Sequence, residues 1–267
     1  MTLAQAFQKA ADENRAALIV YVAAGDPDLE HTEAIVKTLV ESGADIVELG
    51  IPYSDPIADG PTIQEAGQRA LAAGTTVQGV LDCAHRIRAA TEAPLVIMTC
   101  FNPVVQYGLE RFAKAAAASG VQGVLLSDLP VDESSEWNGI ARSAGLDTVY
   151  LAAPTTEPER RELICRASTG FVYVISRAGT TGVRQDLPEG LPALLAELRE
   201  IATSPVAVGF GISTPDHVRA VAQIADGAIV GSAVADIIGQ HGKGPGLLPA
   251  VGGLVSELSK ATSRASE

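Results

Sequence analysis

Two carboxylates stand at positions where an ionised side chain is costly unless it is used. Glu48 lies near the end of the largely apolar segment ADIVEL, residues 44–49. A buried ionisable group costs free energy unless it is paired or takes part in chemistry. Asp59 follows eleven residues later, near the end of a loop, IPYSDPIADGP, that three prolines stiffen. Burial would raise the pKa of both carboxyl groups towards neutrality, which suits general acid–base catalysis.

Each of these carboxylates also has a purely structural interpretation. Glu48 could pair with an arginine, and Asp59 could cap a helix that begins near Thr62. Asp26 and Asp128 also follow predicted strands, but each directly precedes a predicted helix, so a helix-capping role is favoured for both.

The elements that must position these residues alternate along the whole chain. Short apolar runs rich in Val and Ile, typical of parallel strands covered on both faces, are separated by longer amphipathic stretches. The predicted strands are 17–23, 44–49, 95–100, 123–127, 148–152, 171–176, 206–209 and 227–230. Eight strand–helix units in 267 residues predict an α/β fold, the (β/α)8 TIM barrel, with additional helices at 3–14 and 77–90. An open, doubly wound sheet is the structural alternative.

We expect one domain spanning residues 1–267, because no linker composition divides the chain. In a TIM barrel the active site lies at the carboxyl ends of the strands. All lysines and histidines fall on predicted helices or near the C-terminus, the histidines on helix surfaces. Neither a Schiff-base lysine nor a zinc site is therefore predicted, and three distant cysteines form no disulfide framework.

Glycine-rich turns follow the last three predicted strands, at 179–182, 209–213 and 231–233. Glycine lets backbone amides approach a ligand, and the first turn of a helix attracts anions. Barrels of this kind often bind phosphate at these turns. The long segment 177–190 is predicted to be a lid, with flexible surface loop as the alternative.

The composition limits the partners. The formal net charge of −13 disfavours nucleic acid and anionic membranes, which would repel the chain. The apolar runs are too short to span a bilayer, and the first fifteen residues lack a signal-peptide core. We therefore expect a cytoplasmic protein.

The segment ELGIPYSDPIADGPTIQ, residues 48–64, closely resembles the signature of tryptophan synthase alpha subunits. Further matches, GDP at 25–27, YVISR at 173–177, GTTG at 179–182 and GFGIS at 209–213, follow in the family's order over nearly the whole chain. The resemblance implies a lyase of tryptophan biosynthesis, in the carbon–oxygen lyase class. Such an enzyme cleaves indole-3-glycerol phosphate to indole and glyceraldehyde 3-phosphate by a retro-aldol reaction without metal or Schiff base.

The resemblance also implies roles for individual residues. Glu48 matches the acid–base that protonates indole C3, and Asp59 matches the carboxylate that stabilises charge at the indole nitrogen. Tyr173 matches the hydroxyl near the glycerol chain, and Thr181 matches the lid residue that meets the aspartate. The matching phosphate-binding residues are Gly182, Gly211, Gly231 and Ser232. The matching indole-pocket residues are Tyr21, Met98, Leu125 and Phe210, with tyrosine at 21 where the family often has phenylalanine.

The same resemblance implies a partner, a pyridoxal-phosphate-dependent beta subunit that receives indole through a tunnel in an α2β2 complex. Pro52, Asp55 and Asn102 fall where the family meets that subunit. No cofactor is expected in this chain itself. Two alternatives remain open: a lyase that acts without a partner, and a phosphate-binding allosteric subunit with little chemistry of its own.

Overall fold

The computed structural model describes residues 1–56, 59–176 and 190–265. Its strands form a closed parallel barrel in the order β1 to β8, with β1 paired to both β2 and β8. The predicted TIM barrel is confirmed, and the open-sheet alternative is wrong. The eight strands of the described residues are β1 Ala17–Ala23, β2 Ile46–Gly50, β3 Leu95–Thr99, β4 Gly123–Leu126, β5 Asp147–Ala152, β6 Phe171–Ile175, β7 Val206–Gly209 and β8 Gly227–Val230.

Helices separate the strands in the described parts of the chain. They are α1 Leu3–Asp12, α2 Leu29–Glu41, α3 Pro61–Ala72, α4 Val77–Ala90, α5 Phe101–Tyr107, α6 Leu109–Ala118, α7 Ser135–Ala144, α8 Pro158–Ala167, α9 Leu191–Ile201, α10 Pro215–Ala222, α11 Ser232–His241 and α12 Leu247–Lys260, with a 3-10 turn at Val131–Glu133. The two predicted additional helices are present as α1 and α4. Within the described residues, no helix is both long enough and apolar enough to cross a bilayer.

Local sequence signals explain where several helices begin. Asp28 caps α2, because its carboxylate accepts a hydrogen bond from the His31 amide. Thr214 caps α10, and Pro215 occupies the first helical position, where its missing N–H costs nothing. Both starts are therefore set by side chains that are local along the chain.

Two sequence predictions about polar side chains are wrong in detail. Asp128 does not cap the helix after its own strand; its carboxylate accepts from the Phe101 amide and so caps the neighbouring α5. His217 is buried rather than on a helix surface, and its Nδ1 accepts a long hydrogen bond from the Ser213 amide. The partner of Asp128 lies 27 residues away, whereas that of His217 is only four residues away, in the turn before α10.

Alternate strand residues divide the core into an interior and an outer shell. On β1, Ile19 and Tyr21 face the barrel interior, whereas the residues between them pack against helices. Helix α1 covers the amino-terminal end of the interior, where the ring centroids of Phe7 and Phe171 lie 5.7 Å apart. Because α1 covers the amino-terminal end, a ligand can enter the barrel interior only from the carboxyl ends of the strands.

A bidentate ion pair ties the first two strands together at that covered end. Both terminal guanidinium nitrogens of Arg15 donate to the Asp45 carboxylate, at 2.5 and 2.7 Å, and the Leu18 amide donates to the same carboxylate at 2.8 Å. The Asp45 amide also donates to the Leu18 backbone oxygen at 2.9 Å, directly before β2 begins at Ile46. Strand β2 thus starts two residues after the predicted residue 44.

We expect Asp45→Asn to lower the free energy of unfolding by about 2 kcal/mol, because the half-buried Arg15 loses its charged partner. Urea denaturation measures the change. The control is Glu162→Gln, which removes the exposed pair with Arg166 and should cost under about 0.5 kcal/mol. Equal effects of the two substitutions would contradict the importance given to the Arg15–Asp45 pair.

Candidate active site

Glu48 is a buried carboxyl group without a partner among the described residues. It lies in the middle of β2, faces the barrel interior and is 1% exposed. Neither side-chain oxygen has a hydrogen-bond partner in the described parts of the chain, so nothing there supports the arginine-pairing interpretation. Burial, and then the negative charge of Asp59, raises the pKa of Glu48 to about 8.

Asp59 reaches the same region from the loop after β2. Helix α3 begins at Pro61 and its cap position is Gly60, so the alternative interpretation, in which Asp59 caps this helix, is wrong. The Gln64 side-chain amide donates to the backbone oxygen of Asp59 at 2.9 Å, which holds the loop against α3. Burial raises the pKa of the Asp59 carboxyl group. The side chain is therefore available for chemistry rather than for capping.

Two buried tyrosines complete the titratable cluster. Tyr21 pairs in register with Glu48 across β1 and β2, and Tyr173 lies on β6. Burial raises the pKa of both phenols, and the charges of Glu48 and Asp59 raise them further. The register of Tyr21 with Glu48 and the cavity that Tyr21 shares with Asp59 agree with these charge effects, so the carboxylates and the phenols influence one another's ionisation.

Two glycines make room for these phenols. A Cβ atom added at Gly50 would lie 2.2 Å from the Tyr21 hydroxyl, and one at Gly209 would lie 2.4 Å from the Tyr173 hydroxyl. Both distances are far below any normal contact between heavy atoms. A larger residue at either position would therefore displace a phenol from the interior.

A small cavity adjoins Asp59 and Tyr21. Its free volume is about 20 Å³, room for one water, so a larger ligand requires side chains to move. Of the predicted indole pocket, Tyr21 and Met98 line this cavity, and Leu125 is buried in the barrel interior. Other lining residues, missed by the sequence analysis, are Ile51, Tyr53, Pro56, Ile63, Gly67, Thr99, Cys100 and Ser127. Thr99, Cys100 and Ser127 could have been predicted from the sequence, because they lie at the carboxyl ends of β3 and β4.

The predicted phosphate-binding residues that the structure describes lie at the ends of β7 and β8, which are neighbours in the barrel. Gly211 has a φ of +83°, and Gly231 precedes α11, whose first residue is Ser232. The first amides of a helix have no acceptor within the helix and favour anions. Thr181, Gly182 and the predicted lid up to residue 189 lie outside the described residues.

The predicted partner contacts share one rim of the barrel. Asn102, at the start of α5, donates to the Tyr53 hydroxyl at 3.1 Å. Pro52 is half-buried at the cavity, and the exposed Asp55 accepts from the Ser54 hydroxyl at 2.5 Å. The loop after β2 and the start of α5 therefore form a continuous surface next to Asp59.

Asp26 is not a helix cap, contrary to the sequence prediction, because Asp28 occupies that position. Its buried carboxylate instead forms two hydrogen bonds of 2.9 and 2.8 Å with the Arg69 guanidinium. Burial raises the pKa of Asp26 although Arg69 opposes this. Arg69 also donates to the backbone oxygen of Ala235 at 3.3 Å. The pair therefore joins the loop after β1 to α3 and α11.

Fold and site together define a class of protein: a (β/α)8 barrel with a buried carboxylate pair beside turns suited to an anion. Such an arrangement can move a proton to and from the uncharged part of a substrate whose anionic group is held by backbone amides. Over the described ranges, no group of three or more metal-ligating side chains occurs.

Comparison with known proteins identifies the family within this class. The family model described as tryptophan synthase alpha chain matches residues 7–248. The tryptophan synthase alpha chain of Solibacter usitatus is 48% identical over 88% of both chains, and that of Geobacter sulfurreducens is 49% identical over 87% of this chain and 88% of its own. This chain belongs to the tryptophan synthase alpha chain family.

Solved structures agree with this assignment. A structure of Mycobacterium tuberculosis tryptophan synthase is 38% identical, with a TM-score of 0.91 over 98% of both chains. A structure of the tryptophan synthase a2b2 complex from Pyrococcus furiosus is 42% identical, with a TM-score of 0.86 over 92% of this chain and 98% of that one. The barrel is therefore shared over nearly its whole length.

The raised pKa of Glu48 predicts a pH-dependent stability effect. Its pKa is about 8 in the folded chain against an ordinary 4.5, so from about pH 4.5 to pH 8 the unfolded chain ionises this group more readily. Stability is lost progressively across that range, and Glu48→Gln should restore it. We expect the variant to be more stable by a few kcal/mol at pH 8, at about 1.4 kcal/mol per pKa unit, and almost unchanged at pH 4.

Urea denaturation of both proteins at the two pH values measures this effect. The control is the exposed Glu162→Gln, whose small effect should be similar at both pH values. A stability gain of Glu48→Gln that is the same at pH 4 and pH 8 would contradict a buried carboxyl group with a raised pKa.

Proposed function

We propose that this chain cleaves indole-3-glycerol phosphate to indole and glyceraldehyde 3-phosphate, with Glu48 and Asp59 as its catalytic pair. The observation that carries the proposal is the buried Glu48 carboxyl group, unpaired among the described residues and beside Asp59. Its pKa of about 8 keeps it protonated near neutral pH, the form that donates a proton. The names of the relatives, tryptophan synthase alpha chain, support this reaction.

In the first step, the Glu48 carboxylic acid transfers its proton to C3 of the indole ring. The ring nitrogen supplies electron density, and the resulting positive charge is stabilised by the Asp59 carboxylate. The Glu48 carboxylate then takes the proton of the glycerol hydroxyl next to the ring. The carbon–carbon bond breaks, its electron pair returns to the ring, and the hydroxyl oxygen forms the aldehyde. The net change moves one proton from oxygen to carbon.

The other predicted residues have binding roles in this proposal. The Tyr173 hydroxyl, on the strand whose end faces the acid pair, contacts the glycerol chain. Amides at Gly211, Gly231 and Ser232 bind the phosphate, joined by Gly182. Thr181 belongs to the lid. Tyr21, Met98, Leu125 and Phe210 surround the indole ring; Phe210 contacts Tyr173 edge-on, with the ring centroids 5.9 Å apart.

This chain acts with a beta subunit that carries pyridoxal phosphate, in an α2β2 assembly. Support comes from the a2b2 complex named for the Pyrococcus furiosus relative. The rim of Pro52, Asp55 and Asn102 adjoins the cavity next to Asp59, so a partner bound there would lie at the exit for indole. A stand-alone lyase remains the second candidate, and turnover with and without a beta subunit separates the two.

We expect Glu48→Gln to reduce the rate of indole release by at least about 10²-fold, because the amide has no proton to transfer. Binding of the substrate should stay within about threefold, because the carboxamide has the same shape. Indole is measured in a steady-state assay, with and without a beta subunit, and binding by calorimetry.

Asp59→Asn should also lower kcat strongly, because it removes the charge that faces the ring nitrogen. The matched control is Glu162→Gln, which changes an exposed glutamate far from the site. Near-normal turnover of Glu48→Gln would refute the role assigned to Glu48. If the wild-type chain binds substrate but releases no indole under any condition, the allosteric-subunit alternative is favoured.

Asp55→Ala and Asn102→Ala should each weaken the affinity for a beta subunit by about tenfold, as expected for contacts within an interface. The measurement is the concentration of beta subunit that gives half-maximal activation. The control is Asp12→Ala in α1, at the opposite end of the barrel. An affinity left unchanged by both rim substitutions would place the partner surface elsewhere.

A further inference from the structure

The turn after β7 holds a bulky side chain in an unfavourable backbone conformation. Phe210 has a φ of +62°, in the left-handed region that residues other than glycine rarely adopt. Such conformations cost free energy and persist only where the surrounding structure imposes them. The residues next to Phe210 are both glycines, and Gly211 also has a positive φ of +83°.

One residue of the neighbouring strand holds this turn with two hydrogen bonds. Ser176, which directly follows β6, donates its backbone N–H to the Gly209 oxygen at 3.1 Å. Its side-chain hydroxyl donates to the Phe210 backbone oxygen. Ser176 is only 1% exposed, so water cannot easily replace these bonds. The second bond lies at the peptide that joins Phe210 to Gly211.

That peptide separates two groups with different tasks in the proposed reaction. On one side, the Phe210 ring packs edge-on against Tyr173, at an interplanar angle of 70°. On the other side, the Gly211 amide belongs to the proposed phosphate site. Rotation of the Phe210–Gly211 peptide would turn this amide away while leaving the ring near its neighbours.

We infer that Ser176 is a positioning residue: its hydroxyl fixes the Phe210–Gly211 peptide so that the Gly211 amide points at the substrate phosphate. The inference rests on the proposed function for the identity of the ligand. Ser176 itself does not touch the substrate and acts only through the turn 209–211.

The two parts of the ligand should depend on Ser176 to different degrees. A hydrogen bond from an amide weakens steeply when its angle changes. The contact of an aromatic ring with apolar neighbours is non-directional and tolerates small displacements. Loss of the Ser176 hydroxyl should therefore weaken binding of the phosphate end more than binding of the ring.

The test compares Ser176→Ala with the wild-type chain, using glycerol 3-phosphate as the phosphate end and indole as the ring. We expect the Kd for glycerol 3-phosphate to rise about tenfold, the loss typical of one buried hydrogen bond, and the Kd for indole to change less than about twofold. KM for indole-3-glycerol phosphate should rise together with the Kd for glycerol 3-phosphate, while kcat stays within about threefold of the wild-type value.

Two further variants separate positioning from general damage. Ser168→Ala is the matched control: it also removes a buried hydroxyl in a hydrogen bond, here accepted from the Tyr150 amide, but directly after α8, away from the turn at 209–211. It should leave both Kd values unchanged. Ser176→Thr keeps the hydroxyl and should restore glycerol 3-phosphate binding. If Ser176→Ala does not fold, Ser176→Cys, a weak donor of similar size, takes its place.

A double-mutant cycle tests the role of the strained backbone. Glycine adopts positive φ without the penalty of a side chain, so Phe210→Gly should reduce the dependence of the turn on Ser176. We expect Ser176→Ala to weaken glycerol 3-phosphate binding less in the Phe210→Gly chain than in the wild type, that is, non-additively.

Additive effects, or equal weakening of indole and glycerol 3-phosphate, would overturn the inference. So would an unchanged Kd for glycerol 3-phosphate in Ser176→Ala. A wild-type chain that binds glycerol 3-phosphate but releases no indole contradicts the proposed function instead, and the binding comparison still decides the role of Ser176.

Discussion

The burial of the Glu48 carboxyl group is the constraint on which the rest of the site depends. A carboxyl group inside a barrel, without a partner among the described residues, is unfavourable when ionised, and the charge of Asp59 adds to the cost. The closed sheet and the covered amino-terminal end keep this group in place. The burial of Glu48 lowers the stability of the fold, and it also raises the pKa of this carboxyl group into the range suited to donating and accepting a proton.

Strand order places the proposed acid pair and the proposed anion-binding turns on adjacent parts of the barrel. Strand β1 lies between β8 and β2, so Tyr21 stands between the end of β8 and Glu48. The missing side chains of Gly50 and Gly231 leave room for the Tyr21 ring. The Asp26–Arg69 pair reinforces the arrangement from outside, because it joins α3, which follows Asp59, to α11, which follows the turn at Gly231. Tyr21 inside the barrel and the Asp26–Arg69 pair outside it thus connect the ends of β2 and β8.

Much of the fold could be predicted because parallel strands buried on both faces leave a strong local pattern. Strands β1, β7 and β8 begin and end at the predicted residues, and the helix starts at Asp28 and Thr214 follow from their capping side chains. The predictions failed where a side chain has a partner far along the chain. Asp26 was predicted to cap a helix but binds Arg69, 43 residues away, and no local spacing reveals such a pair.

The sequence by itself determined the order of the strands and helices, the family, and the residue types that can do the chemistry. These follow from periodicity, from capping and turn residues, and from the motif at 48–64, all of which are local along the chain. Only the tertiary structure decided that Glu48 is buried and unpaired among the described residues, that Tyr21 and Tyr173 share its surroundings, and that Ser176 holds the turn at Phe210. Burial and proximity arise when distant segments pack together, so no single stretch of sequence contains them.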